Sequence, residues 1–341
     1  MKLEKFKQRD PKKIGITIFT VVCVLLVTGV FFYTSFASFQ VQEDFNIIEG
    51  TVGNNGDLYF AFYVDDVISK TMPQKGDGYK INKEKTTCTK GASVEFNETD
   101  WSVKVLNMTE RNTKCTLYFE KTGAGYIEDL YENGDSSLAY DETVDNNLRY
   151  IGANPNNYVS FNNELWRIIG VFNNIDDGTG NKETRIKIIR SESIGSYSWD
   201  NKPNAVGSST SVYGSNDWSD STLQQVLNSG AYWNRTSGEC PSGQDGATVS
   251  CDFSEIGLTD EAKSMMGSVL WNVGGHPDGS PYTASRFYIS ERDKVVYNGR
   301  PTTWNGKVGL MYPSDYGYAT SGGSMGQNTC LNYSLGEWNN Y

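Results

Sequence analysis

Apolar positions are distributed in three different ways along the chain, and each pattern predicts a different kind of element. Residues 14–37, IGITIFTVVCVLLVTGVFFYTSFA, hold no charge and no proline. They exceed the ~20 apolar residues a bilayer core requires, which predicts a transmembrane helix over 14–38. From 45 to 121 the apolar residues come in short runs: "DLYFAFYV" (57–64), "ASVEF" (92–96), "WSVKVLNM" (101–108) and "CTLYFE" (115–120). These runs are rich in β-branched and aromatic residues and are separated by Asn, Gly, Lys and Thr turns, the signature of strands. In the third run Trp101, Val103 and Val105 fall on one side and Ser102 and Lys104 on the other, a half-buried strand. A small all-β module of immunoglobulin-like or related sandwich type is expected there.

After the joint "KTGAG" (121–125), residues 126–341 mix strands with short helices, an α+β pattern. "NYVSFNNELWRIIGVF" (157–172) reads as two strands joined through Asn162-Asn163, a turn pair that tolerates positive φ. "TRIKIIRSES" (184–193) is a further strand behind the acidic, Gly-rich turn "NNIDDGTGNKE". In "SDSTLQQVL" the apolar residues Leu223, Val226 and Leu227 recur at helical spacing. Ser219, Asp220 and Ser221 are available as N-cap, with Asp220 expected to accept the free N–H groups of the first turn. Gly230 stands where a helix C-terminal glycine belongs. Thr259, Ala262, Met265 and Met266 mark a second capped helix on the same core.

Charge divides the chain as sharply as hydropathy does. Residues 1–13 carry six Lys/Arg against Glu4 and Asp10, a net +4, while the whole chain is −11, so the rest is about −15. Lys12 and Lys13 ahead of the apolar run place the N-terminus in the cytoplasm by the positive-inside rule. Ser35-Phe36-Ala37 resembles a signal-peptidase site, but the apolar run is about twice the usual signal length. An uncleaved anchor is expected, and on either reading residues 40–341 are exported. An acidic bulk without a basic stripe argues against nucleic acid as a partner.

The cysteines fit export. Cys23 lies in the anchor. Cys88 and Cys115 bracket 26 residues, and Cys240 and Cys251 bracket ten. No C-x2-C spacing occurs, and His276 is the lone histidine, so disulfides are expected rather than a zinc site. Cys330 is left over. A Cys88–Cys115 bridge would contribute roughly 3 kcal/mol to a module with a thin core. No metal or cofactor is expected, since the turn from Asn174 has glycine fifth and Thr179 sixth, off the calcium-loop pattern.

Asp217 and Asp220 beside Trp218 raise the question of a carboxylate pair for glycoside hydrolysis, but the helix start explains them better. With His276 alone, a serine or cysteine nucleophile would lack an assembled base, and a histidine in "GGHPDGSP" is expected to be solvated. Trp and Tyr rings suit stacking on sugars or protein. Trp166, Trp218 and Trp271 are expected in the core, whereas Trp199, Tyr213, Tyr316 and Tyr318 are the ligand candidates.

The order "NDWSDSTLQQVLN", "FSEIGLTDEAKSMM", "FYISERD" and "GLMYPSDYGYAT" resembles a domain family of unknown function found in surface proteins of gut-dwelling Gram-positive bacteria. "YVSFNNELWRIIGVF" resembles its opening strand pair, and "WSVKV" with its two cysteines is similar to a module that precedes it. The resemblance implies a C-type-lectin-like fold related to formylglycine-generating enzymes. "NTCLNYS" around Cys330 does not match their active-site pattern, so that activity is not carried over. The family's domain closes on a Gly-Val-Arg-Pro-like motif. The chain stops at Glu337-Trp-Asn-Asn-Tyr341 without one, so the resemblance implies a domain truncated at its C-terminus. The functional expectation is a bacterial cell-surface anchored protein with a non-catalytic ligand-binding or adhesion role toward a glycan or a surface protein. An extracellular glycan hydrolase or distant oxidase, and a purely structural surface protein, are the alternatives.

Overall fold

The computed structural model describes residues 58–203, 214–215, 217–293 and 300–340, with only the main chain for 338–340. The expected basic tail (1–13), the anchor (14–38) with Cys23, and Tyr213 lie outside the described residues. Among the described residues no helix is long and apolar enough to cross a membrane. The chain divides into two compact units, up to Thr122 and from Gly123 onward. Strands dominate it, and the helices are short.

In the first unit, β1 (Leu58–Val64), β2 (Val67–Ser69), β3 (Tyr79–Ile81), β4 (Thr87–Cys88) and β7 (Thr113–Lys121) form one sheet; β5 (Ser93–Asn97) and β6 (Ser102–Leu106) form a separate hairpin. β7 organises the sheet, with β1 parallel on one edge and β3 and β4 antiparallel to it. Its inward residues Cys115, Leu117 and Phe119 are at most 1% exposed. They meet Val103 and Val105 of β6, whose alternation is the half-buried pattern read from the sequence. Trp101, by contrast, stands before the strand as a turn residue at φ 60°. Its ring packs edge-on to Phe96, and its indole N–H donates to the Pro73 carbonyl. Cys88 and Cys115 are paired in register across β4 and β7 and are disulfide-bonded.

The second unit is built on β8 (Leu138–Tyr140), β9 (Leu148–Tyr150), β10 (Tyr158–Phe161), β11 (Glu164–Asp176) and β12 (Lys182–Arg190). β11 is the spine. β12 runs along one edge, while β10 and β9 share the other in succession. The β10–β11 turn is Asn162-Asn163 at φ 57° and 60°, the doubly positive pair whose twist matches a two-residue hairpin. Gly170 admits β9, since a Cβ there would lie 2.4 Å from the Leu148 carbonyl oxygen. Helix α1 (Gly123–Glu132) buries Ile127 against Leu138, Leu148, Tyr150 and Val171.

The remaining helices are α2 (Thr222–Asn228), α3 (Ala231–Asn234), α4 (Asp260–Met265), α5 (Ala284–Glu291), α6 (Pro313–Tyr318) and α7 (Gln327–Leu331). Two hairpins accompany them: β13 (Ser237–Pro241) with β14 (Thr248–Asp252), and β15 (Val269–Asn272) with β16 (Thr303–Gly306). Cys240 and Cys251 are bridged across the first. Leu223, Val226 and Leu227 of α2 are buried as their spacing predicts, in one cluster with Ala262 of α4. Thr259 caps α4 by accepting from the Ala262 N–H.

The cap of α2 differs from expectation. Ser221 accepts the Gln224 N–H, whereas Asp220 is turned outward to Lys202 at 2.8 Å. Asp217 instead caps a preceding 3-10 turn, Trp218–Asp220, accepting from the Ser219 N–H and hydroxyl. Gly230 does not end the helix in left-handed geometry: its φ is −93°. Glycine fits there for a different reason, because a Cβ would lie 2.8 Å from the Val226 Cα.

Candidate functional site

Two strands, two helices and the turn after β8 carry charged side chains into the interior of the second unit. Arg149 of β9 is 1% exposed. Its Nε donates to Asp141 at 2.7 Å and its Nη1 to Asp315 at 2.9 Å. Its guanidinium also lies over the rings of Phe172 and Tyr318. The other oxygen of Asp315 meets Lys187 of β12 and accepts the Tyr312 N–H, so the same carboxylate caps α6. The Lys187 ammonium lies 4.1 Å from the centre of the Tyr312 ring. Burial opposes the charge on Asp315, but Lys187 and Arg149 outweigh it and hold the carboxyl below the usual range. Burial pushes Lys187 down, and Asp315 offsets part of that.

A second buried carboxylate, Glu291 at the end of α5, accepts from the Ser314 hydroxyl at 2.6 Å and the Ser314 N–H at 3.1 Å. Burial pushes its pKa up, against those two hydrogen bonds. The two helices can carry these groups side by side because Gly317 faces Ala284, where a Cβ would lie 2.3 Å from the alanine methyl.

The Trp271–Tyr312 pair, ring centres 6.0 Å apart, separates two cavities that share it as a wall. The smaller, about 340 Å3, is walled by Trp199, Trp218, Trp271, His276, Phe287 and Tyr312, with Asn272, Ser290, Glu291 and Arg300 as polar lining. Its polar groups are held from behind. The Tyr312 hydroxyl accepts the Asn272 N–H at 3.0 Å, and the Trp271 indole donates to the Gly306 carbonyl. Ser290 Oγ and His276 Nδ1 are buried there without a hydrogen-bond partner among the described residues. An aromatic pocket lined by Asn272, Ser290, Glu291 and Arg300, with unpartnered polar atoms buried in its wall, suits a ligand that carries hydroxyl groups.

Trp199 is 39% exposed, packs on Trp218 at 5.0 Å and lines this pocket. Tyr316 is exposed on α6, away from the pocket lining, and Tyr318 is buried against Arg149 and Tyr288. Trp271, expected in the core, is half-buried at the junction of the two cavities. His276 is not a solvated loop residue. Its ring lies 4.5 Å from Phe287 and 5.2 Å from Tyr282, and Nε2 meets the Ser280 carbonyl. Asp217 and Asp220 are absent from the lining of either cavity. Sequence reasoning passed over Glu291, Ser290 and Lys187, and no local signal marks them: each reads as a surface polar residue until its distant partners are in place. The Asp176 and Asp177 carboxylates of the acidic turn are engaged by loop N–H groups, from Gly178 and Gly180 and from Thr179 respectively.

No protein-family model, curated protein or solved structure matches the chain.

Proposed function

We propose that the second unit is a non-catalytic, sugar-binding module of a bacterial cell-surface protein, carried outward by the β module and anchored through residues 14–38. The observation that supports the ligand class is the 340 Å3 aromatic pocket with polar lining from Asn272, Ser290, Glu291 and Arg300, and with Ser290 Oγ and His276 Nδ1 unpartnered in its wall among the described residues. Its volume falls in the lower part of the ~300–1,000 Å3 range of small-ligand sites, the size of one or two sugar rings. Flat rings stack on the apolar face of a sugar while the polar atoms meet its hydroxyls. The immunoglobulin-like and C-type-lectin-like assignments, and the kinship with surface proteins of Gram-positive bacteria, belong to the same proposal and rest on the sequence resemblance.

The test is thermal melting of the full chain against a panel of mono- and disaccharides. A binding sugar raises the midpoint, by the equivalent of about 2.7 kcal/mol at a hundredfold excess over Kd. Trp199→Ala, at a partly exposed position, should remove that rise while leaving the unliganded midpoint nearly unchanged. If no sugar shifts the midpoint, or the shift survives Trp199→Ala together with Ser290→Ala, the reading is wrong. Release of reducing sugar during the assay would favour the hydrolase alternative, with Glu291, whose carboxyl is pushed up by burial, as the acid.

A further inference from the structure

The larger cavity, about 580 Å3, lies between the β11–β12 hairpin and the segments around Met265–Asn272 and Lys307–Tyr312. Its walls are a different chemistry from those of the sugar pocket: Ile169, Ile186, Ile188, Leu227, Leu258 and Leu270. Packed interiors hold few voids larger than a water molecule. An apolar cavity of ~150 Å3 already admits a benzene, and this one is about four times that volume. Its mouth is apolar too. Met265, Leu310 and Met311 line it and are 59%, 40% and 44% exposed. Methionine at such a rim adapts to the shape of what it covers.

Two further cations line the same cavity, and one of them, Lys307, has no carboxylate partner among the described residues. Arg185 lies flat on the backbone at Gly267, where a Cβ would fall 2.4 Å from its Nη1. One side of its guanidinium pairs with Glu183, while its Nε is buried with no hydrogen-bond partner among the described residues. Lys307 donates to the Lys263 carbonyl at 3.2 Å, lies 5.7 Å from the centre of the Trp233 ring, and pairs with no carboxylate among the described residues. The remaining basic residues of the lining have carboxylate partners, as Arg185 has: Lys187 pairs with Asp315, Arg190 with Glu164 and Arg292 with Asp145.

We propose that this cavity binds an acyl-chain carboxylate, with the chain among the isoleucines and leucines and the carboxylate held by Lys307. The two cavities share the segments Trp271–Asn272 and 309–312 but no lining cation, so the test reads Met265, Met266 and Lys307, which line this cavity and not the smaller one. A chain of roughly ten to sixteen carbons fits the volume, judged against the benzene-sized cavity.

The test uses the full chain in zwitterionic nanodiscs and a twelve-carbon carboxylate bearing a diazirine near its methyl end. After irradiation the labelled peptides are mapped by mass spectrometry. Label is expected in the peptide holding Met265 and Met266, which line this cavity alone. Dodecanoate should compete at least tenfold better than dodecyltrimethylammonium, which has the same chain and the opposite head. Lys307→Glu should reduce labelling at least fivefold with the melting temperature held, and Met265→Trp, at an exposed rim position of this cavity alone, should block it by filling the mouth. Label scattered elsewhere, equal competition by the two amphiphiles, or labelling that neither variant changes would each overturn the proposal.

Discussion

Replacing Asp315 by Asn keeps the size of the side chain but removes the charge that stands between Arg149 and Lys187. Arg149 retains Asp141, whereas Lys187 loses its carboxylate partner in an interior where its own side chain is 15% exposed. Breaking a buried pair by removing one partner costs about 3–5 kcal/mol, because the other charge is left uncompensated. For a unit of this size each kcal/mol moves the melting temperature by about 2–4 °C, so a drop of about 6–20 °C is expected. The assay is urea and thermal unfolding of the full chain by near-ultraviolet circular dichroism, which reads the tyrosine and tryptophan rings packed around the network. Adding Lys187→Met to Asp315→Asn removes the stranded ammonium, so the double variant should be more stable than the sum of the two losses by about 1–3 kcal/mol. A loss below about 1 kcal/mol for Asp315→Asn, or coupling below about 0.5 kcal/mol, would refute the reasoning. The pair would then behave as a solvated surface contact.

The helix start offers a sharper contrast between neighbours: Ser221→Ala should cost about 1 kcal/mol by removing the cap of α2. Asp220→Ala should stay within about 0.5 kcal/mol, because that side chain is 70% exposed in its pair with Lys202; urea midpoints of the two variants decide it. Stability should also depend on pH in a defined direction. Asp141 and Asp315 are held below their ordinary 3.8, so their contribution is complete above that value and is lost as pH falls through the lower folded values. Glu291 runs the opposite way. Its pKa is raised above 4.5, so its contribution is present below 4.5 and lost as pH rises through the folded value. Urea midpoints between pH 2 and 6 should therefore fall on the acid side, and Asp315→Asn should flatten that acid limb.

Local rules were legible in the sequence wherever neighbours along the chain supply the physics. The Asn162-Asn163 hairpin, the Leu223–Val226–Leu227 stripe, the Thr259 cap and the two disulfides all follow from spacing and residue type. Asp220 was misread because three candidate caps stand in a row, and which of them faces the free N–H groups depends on the 3-10 turn before the helix. The strands β2, β3 and β4 are two or three residues long and polar in part, so they carry no periodicity to read. Their pairing is decided by β7 and its parallel partner β1.

The candidate site was legible only in a fragment: of the ligand candidates, Trp199 lines the pocket, while Tyr316 and Tyr318 do not, and Trp218 was expected only in the core. Arg149, Lys187, Glu291 and Asp315 are residues that sequence assigns to the surface, since burying any one alone is prohibitive. They are buried because their partners arrive from far along the chain: Arg149 and Asp315 are 166 residues apart, and Lys187 and Asp315 are 128 apart. The sequence by itself determined the longer strands, the helices α2 and α4 and which cysteines lie in reach of each other, but not β2, β3 and β4, nor the helix α1 that begins inside the expected joint. Only the tertiary structure decided which charges go inside and where the two cavities open. The energy of a buried charge depends on partners that spacing along the chain does not reveal.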